Sequence, residues 1–339
     1  MFATFSVALA AILAIFCIVA VGVFFRRTGR LTQENEKPLL NLTVGLLMPC
    51  LIIDRVLKTD AFVANTQNLW LPPLLAFGLV AVGILFGLCV SLLSKKLNGL
   101  ETWKQRRTFA SCVGNFNYGF VPIPLVIAMI EVGILPDSVL GVLFVQNLGV
   151  ELAVWTIVLF TMTGKFDRKS LRQIINAPSV AIVLAVSLNL IGNYGMPDAF
   201  HEHVAPRFDF LLMAIHLLGA AGIPMSIILV GMIFADHFHR AEIKARLPST
   251  MRIVFWSVLI RLAIMPVMFI ALAVSLPVTQ EIKQVLVIHG ASGSAIFTMA
   301  FAKHYGGDPK TAFDTILGNA TLTALTLPIW IAVGFYLIG

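Results

Sequence analysis

Ten stretches of this chain are apolar for long enough to cross a bilayer, at about residues 4–25, 39–57, 70–94, 109–132, 137–161, 177–196, 208–234, 250–275, 284–303 and 311–338. In hydrocarbon every backbone N–H and C=O must find its partner inside the protein, so spans of this length and composition fold as helices. The chain therefore reads as an all-α membrane protein with ten transmembrane helices. Its composition agrees: 58% of the 339 residues are hydrophobic, 12% are charged and the mean hydropathy is +0.92. That excludes an ordinary soluble domain. The first apolar run has no basic residues ahead of it and is followed by Arg26 and Arg27, the pattern of a retained span rather than a cleaved signal.

The basic residues give the orientation. Of the 24 Lys and Arg, 19 fall in the loops after spans one, three, five, seven and nine or at the span ends beside them, four fall in or beside the alternate loops, and Arg261 alone lies deep inside a span, the eighth. Cytoplasmic loops retain positive charge, so both termini are expected on the periplasmic or extracellular face of a plasma (inner) membrane. The net charge of +7 is then a consequence of topology and implies no nucleic-acid partner. A missed or invented span would have scrambled this alternation. Cys17, Cys50, Cys89 and Cys112 all sit in apolar runs without metal-ligand spacing and read as small buried hydrophobes.

Span four contains what a membrane helix normally avoids. Gly114 to Glu131 reads GNFNYGFVPIPLVIAMIE, with two Asn, two Gly and two Pro close together. Each proline removes a backbone donor and disfavours helix in the residue before it, so the span should break near its middle. Proline is most comfortable in the first helical turn, which makes Pro124 the expected start of the second half-helix. A break at this depth is tolerated only where it is buried in protein or lines a wet cavity, and that makes it a candidate binding site.

The two halves of the chain resemble each other at a nearly constant offset. Leu46–Pro49 matches Ala221–Pro224, Gly114 matches Gly290, and Ser138-Val-Leu-Gly141 matches Thr315-Ile-Leu-Gly318. Five spans is an odd number, so a second copy enters the membrane upside down. The expected organisation is one five-helix repeat over 1–162, a short cytoplasmic connection over 163–176, and a second, inverted repeat over 177–339. Inverted repeats with interrupted helices in corresponding positions mark secondary transporters.

The counterpart of the first break is His289-Gly-Ala-Ser-Gly-Ser-Ala295 in span nine, with Ser292 and Ser294 available as caps and Gly290 and Gly293 allowing close approach. Broken helices four and nine are expected to cross near the midplane. Half-helices that begin there offer free N–H groups and a partial positive charge, which suits an anion. Those that end there offer carbonyls, which suit a cation or a donor group. Phe116, Phe120, Phe297 and Met299 would surround the apolar part of an organic anion.

Asn117 followed by Ile123-Pro124-Leu125 resembles the pattern of the auxin efflux carrier family, within the bile-acid, auxin and arsenite-type transporter fold. Phe301-Ala302-Lys303-His304-Tyr305, with Asp308-Pro309 and Leu327-Pro328 after it, is similar to a second block of that family. The resemblance covers essentially the whole chain. It implies two inverted five-span repeats, a scaffold part and a mobile crossover part, and an elevator motion that carries carboxylates. Bacterial members carry malonate and malate, plant members export indole acetate, and homodimers are expected. Asn117 becomes the matching substrate ligand. Thr298 stands where plant members place the proline of the second break, and the short 163–176 connection lacks their long cytoplasmic loop.

Together these readings place Asn115, Asn117, Tyr118, Pro124, His289, Ser292, Ser294 and Thr298 at a substrate site. Glu151 and Arg261, each inside a span, are candidates for coupling by proton or sodium, with a mutual or helix-capping pair as the structural alternative. His216 joins them because histidine titrates near neutral pH. Asn41, Gln146, Asn147 and Asn319 fit either a ligand set or helix-to-helix hydrogen bonds. His201-Glu202-His203 lacks a third ligand at useful spacing, so no metal is expected, nor any cofactor. The chain lacks HExxH, P-loop, G-x-G-x-x-G and G-x-S-x-G patterns, so none of these enzyme signatures supports catalysis. The expectation is a secondary carrier of small organic anions. A sodium-coupled symporter of related fold and a non-transporting anion sensor are the alternatives.

Overall fold

The computed structural model describes residues 2–93, 95–164, 172, 175–195, 209–237 and 247–339. These residues form helices and connections, without a strand among them. By length and composition, six helices among the described residues can cross a membrane: Gln33–Leu57, Gln67–Ser91, Ser138–Thr163, Asp209–Met232, Ser249–Ser275 and Pro309–Ile338. The chain is a multi-pass membrane protein. In chain order the principal helices are α1 (Phe2–Arg27), α2 (Gln33–Leu57), α3 (Gln67–Ser91), α4 (Trp103–Gly114), α5 (Pro122–Glu131) and α6 (Ser138–Thr163). They continue as α7 (Ala177–Gly195), α8 (Asp209–His237), α9 (Ser249–Ser275), α10 (Gln280–Ala291), α11 (Phe297–His304) and α12 (Pro309–Ile338).

Local chemistry sets where the helices start. Thr102 caps α4: its hydroxyl accepts from Gln105 N at 3.2 Å while Gln105 Oε1 accepts from Thr102 N at 3.0 Å, a reciprocal capping box. Asp308 accepts from Thr311 N at 2.7 Å at the head of α12, where Pro309 takes the first helical position. Widened π-type turns interrupt α2 at Thr43–Leu47, α6 at Val154–Val158 and α9 at Leu259–Ile264. Such turns gather at functional sites. In α9 the turn precedes Pro266, which cannot donate to the Leu262 carbonyl; the Trp330 indole N–H does so instead, at 2.7 Å.

Helices α7 and α8 both pack on α2 and make one panel, and α1 lies along α8. Helix α3 packs on α4 and α6, and α12 packs on α9 and α10. Small residues permit the tightest crossings, as membrane helices without a hydrophobic drive toward one another require. An added Cβ at Gly22 of α1 would run into the Ile228 carbonyl of α8, and one at Gly114 would meet Ile84 N of α3 at 2.5 Å. The outward face of α7, with Val180, Val183, Leu184, Leu188 and Ile191, is exposed and apolar, as a lipid-facing surface is. Cys50 and Cys112 are buried, whereas Cys17 and Cys89 lie on exposed faces. The expectation of buried thiols fails for these two because the lipid-facing side of a span is as apolar as its packed side. His201, Glu202 and His203 lie outside the described residues.

Candidate functional site

The expected fourth and ninth spans are each divided, α4 from α5 by residues 115–121 and α10 from α11 by residues 292–296. The two breaks meet and pair. Phe116 and Ser294 form an isolated antiparallel bridge, in which Asn117 N donates to Gly293 O and Ala295 N donates to Asn115 O, both at 2.8 Å. Each break thus satisfies backbone groups of the other, which is how irregular backbone survives away from water.

Side chains fix the pair from behind. Asn115 Nδ2 donates to Thr298 Oγ1 and Asn319 Nδ2 donates to Ser294 Oγ, both at 2.8 Å. The fully buried Arg261, on the widened turn of α9, donates from Nε to Ser292 O at 2.8 Å and from Nη2 to His289 O at 2.6 Å. Its guanidinium stands over the rings of Phe116 and Phe269, 5.3 and 5.6 Å from their centroids. Arg261 therefore caps the carbonyl end of α10, where the helix dipole is negative. His289 is buried beside the same bridge, with Nδ1 2.8 Å from Gln146 Nε2.

In front of the paired breaks lies a cavity of about 260 Å³. The first break contributes Asn117, Tyr118, Gly119 and Phe120, continued by Ile123 and Pro124 of α5; the second contributes Ala295 and Ile296, continued by Phe297 of α11. The opposite wall is the panel, with Val44 and Met48 of α2, Ser179 and Ile182 of α7 and Ser226 of α8. Helix α6 closes a third side with Phe144, Asn147, Glu151 and Trp155. Both half-helices that begin at the breaks, α5 and α11, start on the cavity wall, so their positive dipole ends face the same space. The opening turn of α5 offers that charge without free donors, because Pro122 and Pro124 have no N–H and Ile123 N and Leu125 N donate to Gly119 O and Val121 O. Asn117 Oδ1 accepts from Gly119 N at 3.3 Å, which leaves the side-chain amide to present its N–H groups. Asn147 Nδ2 donates to the Tyr118 carbonyl at 3.1 Å and ties α6 to the first break. The Glu151 carboxylate accepts from Tyr118 Oη at 2.7 Å, Trp155 Nε1 at 3.1 Å and Asn176 Nδ2 at 3.4 Å.

Of the residues expected at the site, Asn117, Tyr118 and Pro124 line the cavity. Asn115, His289, Ser292, Ser294 and Thr298 lie in the buried network behind the bridge. Phe120 and Phe297 line it, whereas Phe116 and Met299 are buried beside it. Four particulars differ from expectation. Helix α5 begins at Pro122, not Pro124, because the first turn of a helix needs no N–H from either position. Ser292 and Ser294 do not cap α11: Ser292 Oγ donates back to Ile288 O at 2.9 Å and Ser294 Oγ accepts from Asn319, while Ile296 takes the capping position. Glu151 and Arg261 are not partners of each other: Arg261 caps the end of α10, the helix-capping alternative, while Glu151 is bound by Tyr118, Trp155 and Asn176. His216 stands on α8 away from the cavity, its exposed ring 3.0 Å from the buried carboxylate of Asp54.

Trp155, Asn176, Ser179 and Ser226 of the lining escaped the sequence reading. Two of them carried a signal: Trp155 stands one turn after Glu151 and shares its face. Asn176-Ala-Pro-Ser179 is a helix start, with Ser179 N donating to Asn176 Oδ1 at 2.9 Å.

An uncharacterized transporter of Methanocaldococcus jannaschii is similar to this chain, 23% identical over 333 residues that cover 94% of this chain and 96% of that protein. The membrane transport protein family matches residues 7–171 and again residues 166–331. With two paired helix breaks bordering a cavity inside an all-helical membrane fold, this chain belongs to the membrane transport protein family, the auxin efflux carriers of the sequence resemblance.

Proposed function

We propose that the chain is a secondary carrier of small organic anions, carboxylates with an apolar part, that binds them at Asn117 in front of the crossed breaks. The observation that carries this reading is the convergence of two helix N-termini and the Asn117 amide on one cavity with otherwise apolar walls. The Asn117 amide and the positive helix ends suit a carboxylate, and Phe120, Phe297 and Ile123 suit the carbon skeleton attached to it. In this reading the helices form ten spans as two inverted five-helix repeats. The panel of α2, α7 and α8 is the scaffold, and the body bearing the breaks moves against it as an elevator. The cavity supports such a motion because it lies along the seam between panel and breaks. The relative's description as a transporter agrees in kind.

The sodium-coupled alternative has less support at the second break. Carbonyls at the end of α10 that would suit a coupling cation already receive the Arg261 guanidinium, a cation built into the chain. Uptake of radiolabelled malonate, malate and indole acetate into proteoliposomes tests the proposal. We expect saturable uptake of at least one acid and its loss in Asn117→Ala, with the variant still inserted. Uptake by Asn117→Ala equal to that of the wild type would remove Asn117 from the site.

A further inference from the structure

An anion site that includes Glu151 contains a conflict of charge. Among the described lining residues Glu151 is the one charged side chain, and Tyr118 is the one other titratable group. A substrate carboxylate entering the same small space would meet an ionised carboxylate in surroundings that screen charge poorly.

The hydrogen bonds of Glu151 offer a way out, because its two oxygens are not equivalent. Oε2 receives the indole N–H of Trp155 and an amide N–H of Asn176. The indole has no acceptor, and the Asn176 oxygen is already taken by Ser179 N at 2.9 Å. Oε1 receives the Tyr118 hydroxyl, which both donates and accepts. A proton arriving at Glu151 therefore settles on Oε1. The new carboxyl O–H then donates to Tyr118 Oη, and the Tyr118 hydrogen, no longer held by Glu151, turns to another acceptor in the cavity. A substrate carboxylate is that acceptor. The same proton removes the repulsion and supplies a donor, and Tyr118 follows Asn117 directly in the first break.

Titratable groups on the elements packed against α6 are held elsewhere. On α2, Asp54 bonds Lys58 and His216 with Arg55 beside it, Glu36 bonds Arg26 beyond the far end, and Glu34 and Lys37 are exposed in the opening turns. On α10, Glu281 accepts from Ser138 and His289 bonds Gln146, while Lys283 is in the first turn, away from the break. Lys104, Arg106 and Arg107 belong to the opening of α4, with Arg107 against Gly164 just past the end of α6. Glu131 ends α5 at the side opposite the break, and α3 and α7 carry no charged residue.

We propose that Glu151 and Tyr118 form a proton-binding site that loads together with the substrate anion, so that the carrier moves an organic anion with a proton. This rests on the anion-carrier reading above. The proton is taken from solution on the loading side onto Glu151 Oε1 and returned to solution from the same atom on the releasing side, with Tyr118 reversing its hydrogen bond at each step.

The test is proton uptake by the purified full-length protein in weakly buffered detergent solution on addition of malonate, malate or indole acetate, with affinities measured across pH. In the wild type we expect about one proton taken up per acid bound, and an affinity that falls up to about tenfold per pH unit once Glu151 ionises. Glu151→Gln keeps an acceptor for Trp155 and Asn176 and donates to Tyr118 as a protonated acid would. It should bind without proton uptake, and its affinity should no longer follow pH. Tyr118→Phe should still take up the proton but bind the acid more weakly. Binding by the wild type without proton uptake, or equal uptake by Glu151→Gln, would overturn the proposal. Should none of the three acids bind, infrared difference spectra across pH decide the proton site separately. A protonated-carboxyl band in wild type that Glu151→Gln lacks and Tyr118→Phe shifts would keep the site and count against the anion reading. Absence of that band in wild type would reject the site.

Discussion

At the scale of single residues, the two intramembrane charges illustrate what sequence can and cannot convey. An Arg or Glu inside a span announces itself, because such a group is expensive in hydrocarbon unless it is partnered. Apart from a neighbour one turn along, as Trp155 is to Glu151, its partners are invisible, since they come from elsewhere in the chain: Arg261 is bound by carbonyls 28 to 31 positions away, and Glu151 by the Tyr118 hydroxyl 33 positions back. Arg261 holds the end of α10 in the conformation that meets the first break. Removing it takes the charged donor from the Ser292 and His289 carbonyls, leaving His289 O with Ser292 N at 3.3 Å, and a hydrogen bond from a charged group is worth about 1.5–3 kcal/mol. Arg261→Ala should therefore lower stability by about 3 kcal/mol, read as a fall in melting temperature of the purified protein. Arg261→Lys should recover only part of this, because an ammonium cannot reproduce the fork that reaches Ser292 O and His289 O together. Melting of Arg261→Ala at the wild-type temperature would show that those carbonyls do not depend on the guanidinium.

At the scale of elements, the interruption of span four was legible because prolines and glycines act through local geometry that a sequence records. Its exact opening was not. Pro122 and Pro124 both fit a first helical turn, and the choice between them depends on how residues 115–117 pair with the second break. The serines of that break likewise looked like caps, yet the bridge turned them to other partners. The Gly114–Gly290 correspondence located both interruptions correctly. Gly114 also packs, with Gly83 and Ile84 of α3 against it. Gly114→Ala should cost about 1–3 kcal/mol through overpacking of this crossing. Gly78→Ala on an open face of the same α3, with nothing within 4 Å of the added Cβ, should be neutral or stabilising by less than about 1 kcal/mol. Equal melting temperatures for the two variants would mean that α3 and α4 separate easily at Gly114.

At the scale of the whole molecule, a membrane fold of helices followed from hydropathy alone, and the pairing of two breaks followed from their composition and offset. The cavity did not follow, because half of its wall belongs to helices whose lining residues are ordinary apolar ones: Val44, Met48 and Ile182 carry no mark that separates them from lipid-facing neighbours. The position of Glu151 on that wall, rather than beside Arg261, is equally a product of tertiary packing. In the proposed function this cavity recognises a carboxylate through Asn117. The most direct test of that recognition is the melting temperature of the purified protein against a panel of mono- and dicarboxylates that includes malonate, malate and indole acetate, with the wild type beside Asn117→Ala. A ligand present at about 100 times its dissociation constant stabilises the folded state by about 2.7 kcal/mol. We expect a rise in melting temperature with at least one acid in the wild type and none in the variant. An equal rise in both would place the site away from the crossed breaks, and no rise with any acid would contradict carboxylate recognition itself.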